Sequence, residues 1–451
     1  MKLYSENNFY KLYQGSMLDM LDVIEENSID SIVTDPPYEL NFMGKGWDNA
    51  GVSFQADTWK KCYEVLKPGG YLLAFGGSRT FHRIACAIED AGFEIRDTIM
   101  WIYGSGFPKS MALDKALEGK LTTGNANKTQ FHKLNGKQEE KHHYGFTTKN
   151  KEMGFRPKDY TTEGASNQYL KESDATTEIA KRYKGWGTCL KPSYEPIIVA
   201  RKPFKGSLVD NVIEYGVGGI NIDECRVGTE KVGGGTMPDL SYVGQEQKKL
   251  GNGHKMSFGQ VSNAPRLECE EHTGRFPANT ILTYDETDFD EVCGGFPDTK
   301  GGKRHNTVVR LEDSTSYGGK AGSVNTRNEF NDSGSASRYF YCAKASKKDR
   351  NEGLESFEDQ RNPHPTVKPC DLMQYLVRLV TPNGGTILDP FNGSGSTGKA
   401  VMYENKEKDK GYKYIGIELT EEYLPIARAR IEYVCKDLEN IQTSLDLSDL
   451  D

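Results

Sequence analysis

The stretch from Gly384 to Glu418, GGTILDPFNGSGSTGKAVMYENKEKDKGYKYIGIE, limits the fold more than any other part of the chain. TILD reads as a short buried strand, a glycine-rich turn follows, KAVMYEN has helical character, and KYIGIEL is a second strand. A strand–glycine turn–helix–strand unit is the nucleotide-binding half of a doubly wound sheet. Glycines in the turn let main chain approach a ligand, and the helix start offers N–H groups that have no partner inside the helix. Glu418 ends the second strand, 20 residues after Gly398, where an acid can accept two ribose hydroxyls. The same turn spells GSGSTGKA, one residue from the phosphate-binding pattern of nucleotide hydrolases. Ala400 stands where that pattern needs a hydroxyl for Mg²⁺, which weighs against an NTPase.

The first hundred residues alternate strand and helix signals. SIDSIVTD, GGYLLAFGG and FEIRDTIMWIY read as strands; residues 54–66 and SRTFHRIACAIEDAG read as helices stopped by Pro68-Gly69 and Gly92. The expected fold is therefore α/β, a doubly wound and mostly parallel sheet. At the carboxyl end of the first of these strands stand Asp35, Pro36, Pro37 and Tyr38. That edge of an open sheet is where ligands bind. Two prolines stiffen the backbone and remove two N–H donors, which leaves carbonyls to accept. An exocyclic amine on a base suits such a place. Its lone pair is delocalised into the ring, and a carboxylate plus a carbonyl accepting its two N–H bonds would favour a pyramidal nitrogen. Tyr38 can stack on the base, worth about 1–3 kcal/mol. A rigid turn is the plainer reading of the same four residues.

Between these ends the pattern dissolves. From Gly104 to about Tyr183 the chain is polar, and after the strand EPIIVARKP it is irregular again from Phe204 to Ser337, with the glycine clusters VGGGT, GNGH, KGGKRH and GGKAGS. Irregular stretches this long imply function. The net charge is −8, yet from Tyr103 to Asp210 there are 19 lysines and arginines against 12 acids. A basic segment in an acidic protein is either a phosphate-contacting face or a solvated loop. Nine scattered cysteines with no Cys-x-x-Cys pair read as reduced thiols, with neither a disulfide frame nor a metal site. No apolar run of about 18 residues and no leader are evident, so a cytoplasmic protein without a membrane partner is expected.

The two motifs, Asp35-Pro36-Pro37-Tyr38 first and the Asp389–Gly398 turn about 350 residues later, resemble the β-group of amino-directed DNA methyltransferases, in particular its phage and prophage members. That group carries a Rossmann-like methyltransferase fold with permuted motif order. The resemblance covers roughly 10–103, 186–203 and 338–437, and includes LKPGGYLLAF, TIMWIY, EPIIVARKP and the segment Asn362–Pro369, NPHPTVKP. It implies site-specific methylation of double-stranded DNA with S-adenosyl-L-methionine as cofactor, by direct in-line attack of a flipped base and without metal. Asp35 and the Pro36 carbonyl would hold the amine, with Pro37 stiffening the motif, and Tyr38 would stack on the base. Asp389, Phe391, Gly393, Gly395 and Ser396 would line the cofactor pocket, Glu418 would bind the ribose, and Thr366 and Lys368 would contact the cofactor carboxylate. Trp101 would wall the base pocket or simply be core. Where family members often have Gly-Asp, this chain has Gly15-Ser16, with Asp19 the next acid.

Asp in the motif favours adenine N6 over cytosine N4. A catalytically silent DNA-binding protein is the remaining alternative. Cytosine C5 chemistry would need a catalytic cysteine, and Cys370 is read as structural. The expected organisation is a first catalytic part at 1–103, a DNA-contacting polar insertion at 104–185, a catalytic strand at 186–203, a target-recognition region at 204–337, a cofactor-binding part at 338–437 and an acidic tail at 438–451. Lys181, Arg182 and Lys184, with Trp186 beside them, are the candidate DNA contacts. A separate restriction endonuclease and a second copy of the chain are the protein partners left open.

Overall fold

The computed structural model describes residues 1–40, 51–103, 110–126, 131–133, 170–172, 175–233, 236–238, 266–268, 271–284, 296, 298–299, 334–335, 337, 340–344, 347–357 and 361–448. The clusters GNGH, KGGKRH and GGKAGS, and most of the polar insertion, lie outside them.

Ten strands form the main sheet: β1 (Lys2–Glu6), β2 (Tyr10–Gln14), β3 (Ile29–Thr34), β4 (Leu66–Phe75), β5 (Glu94–Tyr103), β6 (Tyr194–Arg201), β7 (Thr280–Tyr284), β8 (Tyr341–Lys344), β9 (Thr386–Asp389) and β10 (Lys413–Glu418). They lie in the order β1-β2-β10-β9-β3-β4-β6-β5-β7-β8. β1 runs antiparallel to β2, and β6 antiparallel to both its neighbours. Every other pairing is parallel. This is the mostly parallel sheet the sequence predicts, with TIMWIY and EPIIVARKP as its antiparallel pair.

Both faces are covered, which is why the central strands read as unbroken apolar runs. Ile32, Leu72 and Ile198 pack with Trp59 and Ile88 from the helices Ala56–Val65 and Phe81–Asp90. Their neighbours Val33, Leu73 and Val199 face the other way, into a core shared with the helices Cys370–Val380, Ser396–Lys408 and Leu424–Ser448. Lys202 stays buried because its ammonium donates to the carbonyls of Tyr63 (2.6 Å) and Leu66 (2.8 Å), closing the end of the first helix.

The region 204–337, read from the sequence as a target-recognition region, contributes a strand to this sheet. β7 pairs with both β5 and β8, and the Trp101 indole N–H donates to the Thr283 hydroxyl at 2.7 Å. The aliphatic signal of β7 is only two residues long (Ile281 and Leu282), too short to stand out among polar neighbours. The same region opens with a helix, Leu208–Tyr215, that Ser207 and Asp210 start with a reciprocal capping box.

A second compact unit spans Gly106–Pro192. In it the helix Leu113–Thr123 meets the short helix Glu178–Arg182 through Glu118, whose carboxylate accepts from the hydroxyls of Thr176 and Thr177 and from the Thr177 N–H. Those bonds lower the Glu118 pKa to about 2. Among the described residues no helix is long and apolar enough to cross a membrane.

Gly398 shows how tightly the helix after the glycine turn sits on β10. A Cβ at this position would lie 2.5 Å from the Tyr414 ring and 2.6 Å from Ile431. Gly398→Ala is expected to cost about 1–3 kcal/mol, read as a lower urea midpoint with an unchanged slope.

Candidate active site

The carboxyl ends of β3, β9 and β10 lie side by side and carry the two motifs. Asp389 ends β9 in full burial. It accepts from the hydroxyls of Thr34 and Thr397, each at 2.6 Å, and from the Phe391 N–H at 3.1 Å. Burial raises its pKa to about 6 even against those three donors. Asp389 is thus a clamp holding β3, the turn and the following helix together. Phe391 leaves the clamp toward Trp59, with ring centroids 6.3 Å apart.

Glu418 ends β10. Its carboxylate accepts from the Gly393 N–H (2.6 Å) and the Thr420 N–H (2.8 Å). Burial raises its pKa to about 7, with both N–H bonds pulling the other way. Gly393 is left-handed (φ +51°), and a Cβ there would come within 3.1 Å of the His364 ring. His364 packs edge-on to Tyr423 and is kept neutral, its pKa lowered to about 4 by burial and by the charges of Lys368, Arg350 and Arg430. The Gly15 N–H donates to the Glu418 carbonyl (3.0 Å), so the Gly15-Ser16 departure falls beside this acid. The Ser16 hydroxyl accepts from the Leu18 N–H and opens a 3₁₀ turn, Met17–Asp22, on which Asp19 is exposed.

Behind the turn lies Arg430, fully buried, which sequence reasoning did not single out. It donates to the Ser394 carbonyl (2.7 Å) and to the hydroxyls of Ser394 and Ser396 (3.2 Å each). Gly395 caps the helix in left-handed conformation. Lys399, the lysine of the phosphate-like pattern, is buried and pairs with Asp349 (2.8 Å) and Glu352 (2.9 Å). It shares the Asp349 carbonyl with Arg430 and belongs to the scaffold behind the turn.

The Asp35–Tyr38 motif leaves β3 beside this turn. Ser53 donates to the Pro37 carbonyl (2.6 Å), while among the described residues nothing donates to the Pro36 carbonyl. Gly77, at the end of β4, makes room for the Tyr38 ring, which would lie 3.2 Å from a Cβ there. The Tyr38 hydroxyl donates to Glu195 Oε2 at 2.8 Å, and Tyr103 donates to Glu195 Oε1 at 3.2 Å. Burial raises the Tyr38 pKa well above its usual value, helped by the charges of Asp35 and Glu195.

Lys368 joins this group. Its ammonium is 2.6 Å from Asp35 Oδ2, 3.4 Å from Glu195 Oε2 and 3.2 Å from the Tyr38 hydroxyl. It also faces the rings of Phe75, Tyr38 and Trp101 at 4.9, 5.4 and 5.8 Å. Burial disfavours its charge, but Asp35 and Glu195 more than offset this and raise its pKa. The second carboxylate oxygen, Asp35 Oδ1, is buried and has no hydrogen-bond partner among the described residues. Thr366, two residues away, is exposed. Among the described residues no cluster of three or more His, Cys, Asp or Glu is placed to hold a metal.

The profile of the DNA methylase family, the N6/N4 class, matches residues 29–429 of this chain. The chain belongs to that family. Its similarity to individual relatives is confined to short blocks. It is 34% identical to the type II methyltransferase M.HpaI of Haemophilus parainfluenzae over 109 residues, 22% of this chain and 34% of that one. It is 45% identical to the type II methyltransferase M2.DpnII of Streptococcus pneumoniae over 69 residues, 15% of this chain and 24% of that one. The matched blocks therefore span about a third and a quarter of those relatives' lengths. Among solved structures, the PvuII DNA methyltransferase (cytosine-N4-specific) aligns with 98% of this chain and 95% of its own at 14% identity and a TM-score of 0.40.

In this DNA methylase the candidate DNA contacts fall in the second unit. Lys181 and Arg182 occupy the last turn of the helix Glu178–Arg182, and Lys181 pairs with Glu178 at the surface (2.8 Å). Lys184 follows in a turn that also holds Trp186, 61% exposed and edge-on to Tyr183. Cys370 is buried at a helix start, and burial raises its thiol pKa well above the usual value, which fits a structural role. Lys399→Met is expected to take the buried cation from Asp349 and Glu352, which keep the Cys370 N–H and the Tyr403 hydroxyl as donors. It should cost about 3–5 kcal/mol by urea denaturation, and the unaltered methylase should release no phosphate from ATP and Mg²⁺ above background.

Proposed function

We propose that this DNA methylase transfers a methyl group from S-adenosylmethionine to N6 of an adenine rotated out of double-stranded DNA. The observation that carries this reading is Asp35 Oδ1, a buried acceptor at the carboxyl edge of the sheet and beside the Pro36 carbonyl, both without a donor among the described residues. Two N–H bonds given by an exocyclic amine would satisfy both acceptors. They would hold the nitrogen pyramidal with its lone pair directed away from the ring. Tyr38, its ring seated on Gly77 and its hydroxyl fixed by Glu195, supplies the stacking surface.

The residues beside the motif fit a nucleoside methyl donor. Glu418 is positioned to accept the ribose hydroxyls, and the Gly393–Gly395 turn, pinned by Arg430, leaves main chain to line the amino-acid end. The Ser396 hydroxyl accepts from Arg430, so Ser396 acts on the pocket from behind. When bound, the donor supplies a methyl group on a positively charged sulfur. Thr366 remains the candidate for its carboxylate, whereas the contacts of Lys368 with Asp35, Glu195 and Tyr38 support a place for that lysine beside the base. Adenine is preferred over cytosine because the motif begins with Asp, and N4 of cytosine is the second reading on the same chemistry. Rotating the base out costs a few kcal/mol, which contacts from the basic unit to DNA phosphates would offset.

The test is methylation of genomic DNA with radiolabelled donor, followed by digestion to nucleosides. Label in N6-methyladenine, lost in Asp35→Ala, is the expected result. Label in N4-methylcytosine would correct the base, and donor binding without label in any DNA would leave a silent DNA-binding protein. Donor affinity should also follow Glu418. Its pKa of about 7 means that the acceptor form gains as pH rises, so the Kd for S-adenosylmethionine should tighten by about tenfold between pH 6 and 8. In Glu418→Gln that dependence should flatten, as calorimetry at the two pH values would show.

A further inference from the structure

We infer that Glu195 and Lys368 are positioning residues that set the charge of the base pocket, and that Glu195 holds it at a net −1. The inference rests on Asp35 being the acceptor of the target amine. The cluster contains two carboxylates, Asp35 and Glu195, and one ammonium, Lys368, which bridges them at 2.6 and 3.4 Å. These groups come from three separate segments: the end of β3, the start of β6, and the turn before the helix Cys370–Val380. Lys368 occupies only Asp35 Oδ2 and leaves Oδ1 for the substrate. Glu195 keeps the lysine from cancelling the acid outright. It also takes the hydroxyls of Tyr38 and Tyr103, so it fixes the stacking ring and the lysine together.

The reaction needs that charge. The amine attacks as a neutral group; its lone pair forms the C–N bond, while the electrons of the broken S–C bond stay on sulfur. The nitrogen therefore becomes a cationic N-methylammonium, and one of its protons leaves afterwards to the Asp35 carboxylate or to water. A buried pocket at −1 stabilises the charge that develops on nitrogen, whereas a neutral Asp35–Lys368 pair would not. Lys368 has its own part. It holds Asp35 in one rotamer and faces the rings of Phe75, Tyr38 and Trp101; among the described residues Glu195 is the other anion paired with its ammonium.

Glu195→Gln brings the cluster to neutrality and keeps a hydrogen-bond acceptor for the tyrosines. Adding Lys368→Met returns it to −1. Three measurements on the full chain test the idea: single-turnover methyl transfer to genomic DNA, and calorimetric affinity for S-adenosylmethionine and for S-adenosylhomocysteine, which is uncharged at sulfur. In Glu195→Gln, transfer should slow by about 10- to 100-fold. Affinity for the cationic donor should fall at least threefold more than affinity for the neutral product. The double variant should recover at least part of both losses. A Glu195→Gln protein that transfers at the unaltered rate, or a double variant no faster and no more selective than the single one, would overturn the inference. Failure of the unaltered protein to methylate any DNA would instead strike the functional reading beneath it; the two failures are read on different samples.

Discussion

The fold is organised by one hydrogen bond deep in the sheet. Thr34, the last residue of β3, donates to Asp389, the last residue of β9, across 355 residues of chain. Parallel pairing of these two strands sets Ile387 opposite Ser31 and Leu388 opposite Ile32, so both strands finish at the same level. The Asp-Pro-Pro-Tyr segment and the glycine turn then leave from adjacent points. Because Asp389 also takes the Thr397 hydroxyl and the Phe391 N–H, a single buried carboxylate fixes where β3 ends, how the turn departs and where the next helix starts. An unmet carboxylate at such depth would be costly, and three donors converge on it.

A second theme is the use of buried cations to shape loops. Arg430 supports the glycine turn from behind, Lys399 ties its helix to Asp349 and Glu352, and Lys202 closes the end of an early helix. In each case the charge is matched by carbonyls or carboxylates, which is the condition under which burial is tolerated. Lys368 follows the same rule with a different result, since its partners are Asp35 and Tyr38 of the Asp-Pro-Pro-Tyr segment and Glu195 of β6.

Much of this was legible in the sequence. Local patterns mark β3, β4, β5, β6, β9 and β10, and the turn chemistry places Asp35, Gly393 and Glu418 at strand ends. What escaped was what depends on long-range pairing. β7 is a two-residue aliphatic signal that becomes a strand only between β5 and β8. Glu195 looks like one acid at the head of an apolar strand until β6 is laid antiparallel between β4 and β5. Arg430 sits in a sequence of alternating charge, ARARIEY, where nothing local separates a buried arginine from the exposed ones around it. Lys368 was assigned to the cofactor by resemblance; only the fold brings Asp35 within 2.6 Å of it.

The position of β9 also has a bearing on how the protein is made. β9 lies between β10 and β3, yet it is synthesised last but one of the ten strands. At roughly 5–20 residues per second, the ribosome needs roughly 20–70 seconds to travel the 355 residues from Thr34 to Asp389. Throughout that interval the inner edge of β3, apolar on both faces, has no strand to pair with. The N-terminal hairpin of β1 and β2 waits as well, since its partner β10 emerges later still. Such an edge is an open template for other nascent chains. Production of the protein in soluble form therefore depends on how the half-built sheet is sheltered during translation, a demand that the finished sheet no longer shows.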